Sequence, residues 1–245
     1  MGKIPISGGL WRHWLADMEK IVIFSFDDGT IWDRQLVELL NQYGIPGTFN
    51  LNSGLEDFAW EFAGKPVIRQ RLADTVSQYQ GHEIASHSLT HPRLDLLPPP
   101  ALRREVAEDC RTLKRIFEVE ELGFGVPFTF CNEREIRILK KYVRYIRLSE
   151  FADDFGLPRD EYHIPIHALY NDPDIREKLK RFAQSDAETS LFVIAGHAYE
   201  LEYLNHWTRF EQLLRELKTM DVTFMTTMEF VRRYYPREST AVCGK

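Results

Sequence analysis

A barrel of parallel β-strands wrapped in helices is the fold class this sequence predicts, and three observations predict it. Apolar runs of strand length alternate with segments of helical period almost from end to end, the pattern of βα units rather than of a sandwich. The first run, Ile21 to Phe26, is continuously apolar and β-branched, as a strand buried on both faces should be. Residues with chemistry in them, Asp27, Asp28, His87, His91 and His197, follow such runs directly, and in a barrel the strand C-termini carry the active site.

In chain order the strands are expected at 21–26, 47–51, 82–86, 122–130, 142–148, 162–168, 191–196 and 222–226. Between them, Leu36/Leu39/Leu40/Tyr43, Leu102/Val106/Cys110/Leu113/Phe117, Ile175/Leu179/Phe182 and Phe210/Leu213/Leu214/Leu217 recur at three- and four-residue steps. These are one-sided helices that cover a sheet. Pro98-Pro99-Pro100 reads as a rigid lead into the helix beginning near Ala101, proline being tolerated in a first turn. A total of roughly eight strands and seven helices fits a barrel. A doubly wound open sheet is the alternative, but no glycine-rich nucleotide fingerprint follows any strand. No repeat, low-complexity tract or linker divides the chain, so one domain over 1–245 is expected, with its core at about 20–231 and a loose polar tail over 236–245.

The 245 residues are 44% hydrophobic and 28% charged, enough apolar material for a large core and too much for disorder. A net charge of −6 argues against nucleic acid as a partner, since phosphate backbones attract basic surfaces. No stretch reaches the ~18 apolar residues of a membrane span and residues 1–20 lack a signal-peptide core, so no membrane association and a cytoplasmic location are expected. The three cysteines, Cys110, Cys131 and Cys243, form no metal or disulfide pattern and are read as free thiols. Oligomeric state is not encoded legibly.

Two imidazoles four residues apart, His87 and His91, would stand ~5–6 Å apart on one helical turn, near enough to share an ion. With a carboxylate from Asp27-Asp28-Gly29 they make a metal site with open positions. Two His and one carboxylate suit zinc, while the same set also takes cobalt, nickel or iron. Adjacent carboxylates can divide the work, one binding the cation and the other accepting a proton from water. His197 closes a further apolar strand, where an imidazole can protonate a leaving group. Singly, an Asp-Asp-Gly is usually a turn and a strand-end His usually packs into a core; all of them at strand ends of one alternation is a poor coincidence. His13, His82, His163, His167 and His206 show no such convergence and read as structural or surface residues. Trp11, Trp14, Trp32 and Trp207 read as core packing before sugar-stacking surfaces.

Ser25-Phe26-Asp27-Asp28-Gly29 resembles the T-F-D-D-G first motif of polysaccharide deacetylases, the NodB-homology domain of carbohydrate esterase family four. Ser86-His87-Ser88-Leu89-Thr90-His91-Pro92 resembles the family's H-[ST]-x-x-H-P second motif. The resemblance runs from about Lys20 to about Val231. It implies a distorted (β/α) barrel of seven or eight strands, with Asp27 as catalytic base, Asp28, His87 and His91 as ligands of one divalent metal, and His197, within Ala195-Gly196-His197, as general acid. The third motif, R-x-P-[FY]-G, reads Gly125-Val126-Pro127-Phe128-Thr129 here, so the Arg that orients the catalytic Asp is absent. The D-x-x-D-W fourth motif has no match, with Arg147, Glu150, Asp153 or Asp154 near Phe155 as stand-ins.

The expected reaction is metal-dependent hydrolysis of an N-acyl group, foremost N-acetyl on an amino sugar or saccharide. A bound water with its pKa lowered from ~15.7 toward ~7 attacks, and the backbone N–H of Phe128 supports the oxyanion. Deformylation of a formamido sugar or hydrolysis of a small cyclic amide is the second enzyme reading. A catalytically decayed saccharide-binding barrel is the third. A glycosidase is disfavoured, since its carboxyls should stand ~5–9.5 Å apart across the scissile bond.

Overall fold

The computed structural model describes residues 18–237. The expectations for Trp11, His13, Trp14, Cys243 and residues 238–245 lie outside the described residues. Along the chain the elements are β1 (Glu19–Asp27), α1 (Asp33–Gln42), β2 (Gly47–Leu51), β3 (Ala59–Phe62), β4 (Lys65–Ile68), β5 (Glu83–Ser86), α2 (Pro99–Phe117), β6 (Phe124–Gly125), α3 (Glu133–Leu139), β7 (Ile146–Phe151), β8 (Ile164–Ile166), β9 (Ala168–Leu169), α4 (Ile175–Ala183), β10 (Thr189–His197), α5 (Ala198–Tyr203), α6 (Trp207–Lys218), β11 (Thr223–Phe224) and α7 (Thr227–Tyr234).

All strands but β3 and β4 form one parallel sheet in the order β8-β7-β6-β5-β2-β1-β10-β9, with β11 also on β1. Its two ends are halves of a single extended run. β8 pairs with β7 and β9 pairs with β10, while His167 between them donates its backbone N–H to the Val193 carbonyl at 2.9 Å. The sheet therefore curls round on itself through residues 164–169. The His167 ring locks the seam, its Nδ1 accepting from the Val193 N–H at 3.0 Å and its Nε2 donating to the Asp154 carbonyl at 3.0 Å. Burial pulls this imidazole down to about 4, so it serves as a neutral hydrogen-bonding wedge. Distortion enters through the two-residue β6 and a register shift between Arg147 and Phe151.

Side-chain alternation sorts the apolar residues into two cores. Ile21 and Ile23 of β1 point inward with Ile164, Leu191 and Val193, and Met228 and Val231 of α7 close this interior. Val22, Phe24 and Phe26 point outward against Leu36, Leu40, Phe210 and Leu214 of the covering helices. Each fully buried aliphatic or Phe side chain contributes roughly 1.5–3 kcal/mol, so β1, apolar on both faces, is the element least able to leave. Further along the inward-facing row come Ser25 and Asp27 in place of isoleucine, and there the interior turns polar.

Several sequence expectations shift. The run 122–130 yields strand only at Phe124–Gly125, because Pro127 lacks an N–H to donate and Phe128 takes a left-handed backbone, φ 58°. The run 142–148 pairs only from Ile146. The β3–β4 hairpin, antiparallel and outside the sheet, and the helices α3, α5 and α7, of 7, 6 and 8 residues, are too short to be read from sequence. Among the described residues no helix is long and apolar enough to cross a membrane.

Candidate active site

β1 and β10 run in register, pairing Asp27 with His197, and on the other side of β1 Asp27 pairs with Asn50 of β2. Adjacent strands lie ~4.8 Å apart. Asn50, Asp27 and His197 thus form one row across the C-terminal rim. The strand ends at Asp27. Asp28 adopts φ 85° and Gly29 φ 66°, a left-handed pair of which only the glycine is unstrained. That turn aims the two neighbouring carboxylates in different directions.

The Asp28 carboxylate comes together with His87 and His91, one ligand atom from each lying within 4.8 Å of the others. The helical turn expected for the two histidines is absent. β5 ends at Ser86, and the loop beyond reverses through left-handed Ser88 (φ 67°) and His91 (φ 53°). This brings the imidazole rings to 4.8 Å, edge to face. His87 Nδ1–H donates to the Gly125 carbonyl at 2.8 Å, which fixes its tautomer and leaves Nε2 as the ligand atom. Burial pulls His87 down to about 3 and lowers His91 as well, keeping both rings neutral, the form that binds metal. Ligands at ~2.1 Å in a tetrahedral set stand ~3.4 Å apart, so small side-chain movements suffice, and the donor set fits one divalent cation.

Two arginines serve the two aspartates. Arg147, 1% exposed, donates from Nη2 to Asp27 Oδ1, and Asn50 Nδ2 donates to the same oxygen at 2.7 Å. Arg69 Nη2 donates to Asp28 Oδ1 at 2.6 Å while its guanidinium lies 4.8 Å from the Trp60 ring centre. Burial alone would raise both carboxyls, but the cations and imidazoles around them win. Asp27, beside Arg147, and Asp28, beside His197 and Arg69, are both held below the ordinary carboxylate range.

His197 stands between carboxylates. Its Nε2 lies 3.8 Å from Asp28 Oδ2 and its Nδ1 3.3 Å from Glu200 Oε1, one turn into α5. The second contact is off the line of a straight hydrogen bond and acts as an electrostatic one. Burial works against the imidazolium, yet Glu200 and Asp28 outweigh it and push the ring up to about 9.

Asp27, Asp28, His87, His91, His197 and the two arginines line one cavity of about 600 Å³. Its wall beyond the polar floor is aromatic: Phe128 packs on His91 at 4.7 Å, Tyr199 lies 5.1 Å from the His197 ring and Trp60 5.4 Å from Tyr199. Phe58, Phe128 and Phe151 remain about half exposed at its mouth. The structure thus brings Asp27, Asp28, His87, His91, His197 and Phe128 to one pocket. His82, His163, His167 and His206 lie outside it. Arg69 and Trp60 were invisible in the sequence, arriving on a hairpin with no signal beyond its aromatic content. Glu200 sits three residues after His197, a helical spacing that would have disclosed it.

The sequence profile described as polysaccharide deacetylase matches residues 16–144, or 129 of the 245. Two chitooligosaccharide deacetylases align over 95 residues, that of Sinorhizobium fredii at 28% identity (38% of this chain, 39% of that protein) and that of a Bradyrhizobium at 27% (38% of each). The alignments thus span about two fifths of these relatives' length. Among solved structures, the Xyl-CE4 domain of a multidomain xylanase from the hindgut metagenome of Trinervitermes trinervoides superposes with a TM-score of 0.58 at 20% identity, covering 88% of this chain and 91% of that one. A family 4 acetyl xylan esterase from Clostridium thermocellum, in complex with a cobalt ion, gives 0.58 at 16%, covering 87% and 91%. At such identities these structures attest the fold. With the profile covering more than half the chain and both aspartate and histidine motifs in place, this protein belongs to the polysaccharide deacetylase family.

Proposed function

We propose that the pocket hydrolyses the N-acyl group, foremost N-acetyl, of an amino sugar or saccharide, with Asp27 as base and His197 as acid. The observation that carries this reading is the register pairing of Asp27 with His197 beside the Asp28, His87, His91 cluster. A proton acceptor, a proton donor and a cation site share one cavity, the complement an amide hydrolysis needs. The chitooligosaccharide deacetylases that align with the chain support the substrate class.

Asp28, His87 and His91 would hold the divalent ion, zinc by preference, which when bound supplies Lewis acidity to water and to the acyl carbonyl. Hydrogen bonds to the Asp27 carboxylate fall on Oδ1 among the described residues, leaving Oδ2 to take the proton of the attacking water. The Phe128 backbone N–H is assigned to the developing oxyanion. His197, anchored by Glu200, gives its proton to the departing nitrogen, and the aromatic wall holds the sugar and excludes bulk water.

Metal analysis of the purified protein, combined with acetate and formate release from a panel of N-acetyl and N-formyl amino sugars, tests this reading. Acetate release with about one divalent ion per chain is expected. Formate alone would shift the assignment to a deformylase, and binding without turnover to a decayed saccharide-binding barrel. His87→Ala should lose the metal and keep its far-ultraviolet circular dichroism, since ligands at a barrel rim are not core. Full metal occupancy in that variant would remove His87 from the ligand set.

A further inference from the structure

The arginine that the family pattern puts at position 125 is missing, yet a guanidinium rests on Asp27. Gly125 and Arg147 are register partners on β6 and β7, and register partners on adjacent parallel strands project to the same face. A side chain growing from either strand enters the same space. Only one fits there: a Cβ on Gly125 would stand 2.6 Å from Arg147 Nη2 and 2.6 Å from Asn50 Cγ. The guanidinium is also held on its other arm, Nη1 donating to Ser149 Oγ at 3.0 Å, and that hydroxyl donates to the Val126 carbonyl at 2.7 Å. Arg147 thus grips the β6 loop as well as Asp27.

We propose that Arg147 is the positioning residue for Asp27, supplying from β7 the guanidinium that the family pattern supplies from β6, and that Gly125 is glycine because Arg147 fills its side-chain space. The inference rests on the reading of Asp27 as the base. With Oδ1 tied to Arg147 and Asn50, rotation of the carboxylate is restrained and Oδ2 is left for the reaction. Lysine would supply the charge without the fork that reaches Asp27 and Ser149 together.

Steady-state kinetics and melting of six variants test it. Arg147→Met should lower kcat by about 10²-fold, as expected for a displaced catalytic group, with KM and metal content close to wild type, and Arg147→Lys should recover part of the loss. Gly125→Ala removes no charge but pushes the guanidinium aside, and should lower kcat in the same direction. The exchange variant carrying Gly125→Arg and Arg147→Gly should melt above Gly125→Arg alone and regain part of the kcat that Arg147→Gly loses. Wild-type kcat in Arg147→Met, or an exchange variant melting no higher than Gly125→Arg, would overturn the proposal. If the wild type releases no acyl group from any amide, the reading of Asp27 as base fails. The melting comparison still decides whether the two positions share one guanidinium site.

Discussion

Asp27 and Asp28 are covalent neighbours with different surroundings, and the difference comes from one backbone angle. Asp27 ends a regular strand, whereas Asp28 turns through φ 85°, so one carboxylate meets Arg147 and the other Arg69 and the histidines. Separate cations let both stay ionised although like charges so close would otherwise force a proton onto one. Asp27→Asn keeps the size and removes the proton acceptor. It should retain the metal and lose at least ~10²-fold in kcat, and near-normal turnover would take Asp27 out of the mechanism. His197→Ala should cripple amide cleavage while sparing an activated aryl acetate, whose phenolate departs unprotonated. Equal losses on the two substrates would point to a structural role. These residues were legible because motif spacing and strand ends are local properties; Arg69 was not, since it matters only through what it faces, while Glu200 lay within reach of a helical-spacing argument from His197.

At the scale of elements, α2 does more than cover the sheet. Its buried Glu105 accepts from the Thr90 N–H at 2.9 Å and the Thr90 hydroxyl at 2.8 Å, and Asp109 accepts from Ser53 and Ser86. Two carboxylates on one helix therefore clamp the loops that follow β2 and β5. The β5 loop needs the clamp, because left-handed Ser88 and His91 cost of order 1–3 kcal/mol each. Glu105→Ala removes no ligand, yet it should weaken metal affinity by roughly 10–100-fold, the usual loss for a group that orients a ligand; chelator competition measures it, and unchanged affinity would mean the loop holds itself. The periodicity of Leu102, Val106, Cys110 and Leu113 disclosed this helix. The clamp was not disclosed, since a glutamate on an amphipathic helix looks like any solvated charge until its loop is seen.

For the whole molecule, the base of the barrel is tied as firmly as its rim. Glu83 accepts from the Tyr145 hydroxyl at 2.6 Å, the Thr48 hydroxyl at 2.9 Å and the Met228 N–H at 2.8 Å, joining β5 to β2, α7 and the residue leading into β7. Burial outweighs these bonds and pushes its carboxyl up to about 7. A folded value above the unfolded one means that the native state holds the extra proton, so this group's contribution to stability falls as pH rises from about 4.5 to about 7. Glu83→Gln should cancel that slope: the difference in unfolding free energy between variant and wild type should move in the variant's favour by up to ~3 kcal/mol across the window, measured by urea titration at each pH. A pH-independent difference would show that Glu83 titrates normally. By itself the sequence determined the fold class, the central strand and the identity of the acidic and imidazole groups at strand ends, because apolar periodicity and short motifs are written in contiguous residues. Only the tertiary structure decided which strands are neighbours, that Arg147 reaches Asp27 across the space above Gly125, and that the β3–β4 hairpin brings Arg69 onto Asp28 with Trp60 against its guanidinium. Strand register and loop placement come from packing two cores at once, and the electrostatics of a site follow from what that packing brings within a few ångströms, which no single segment encodes.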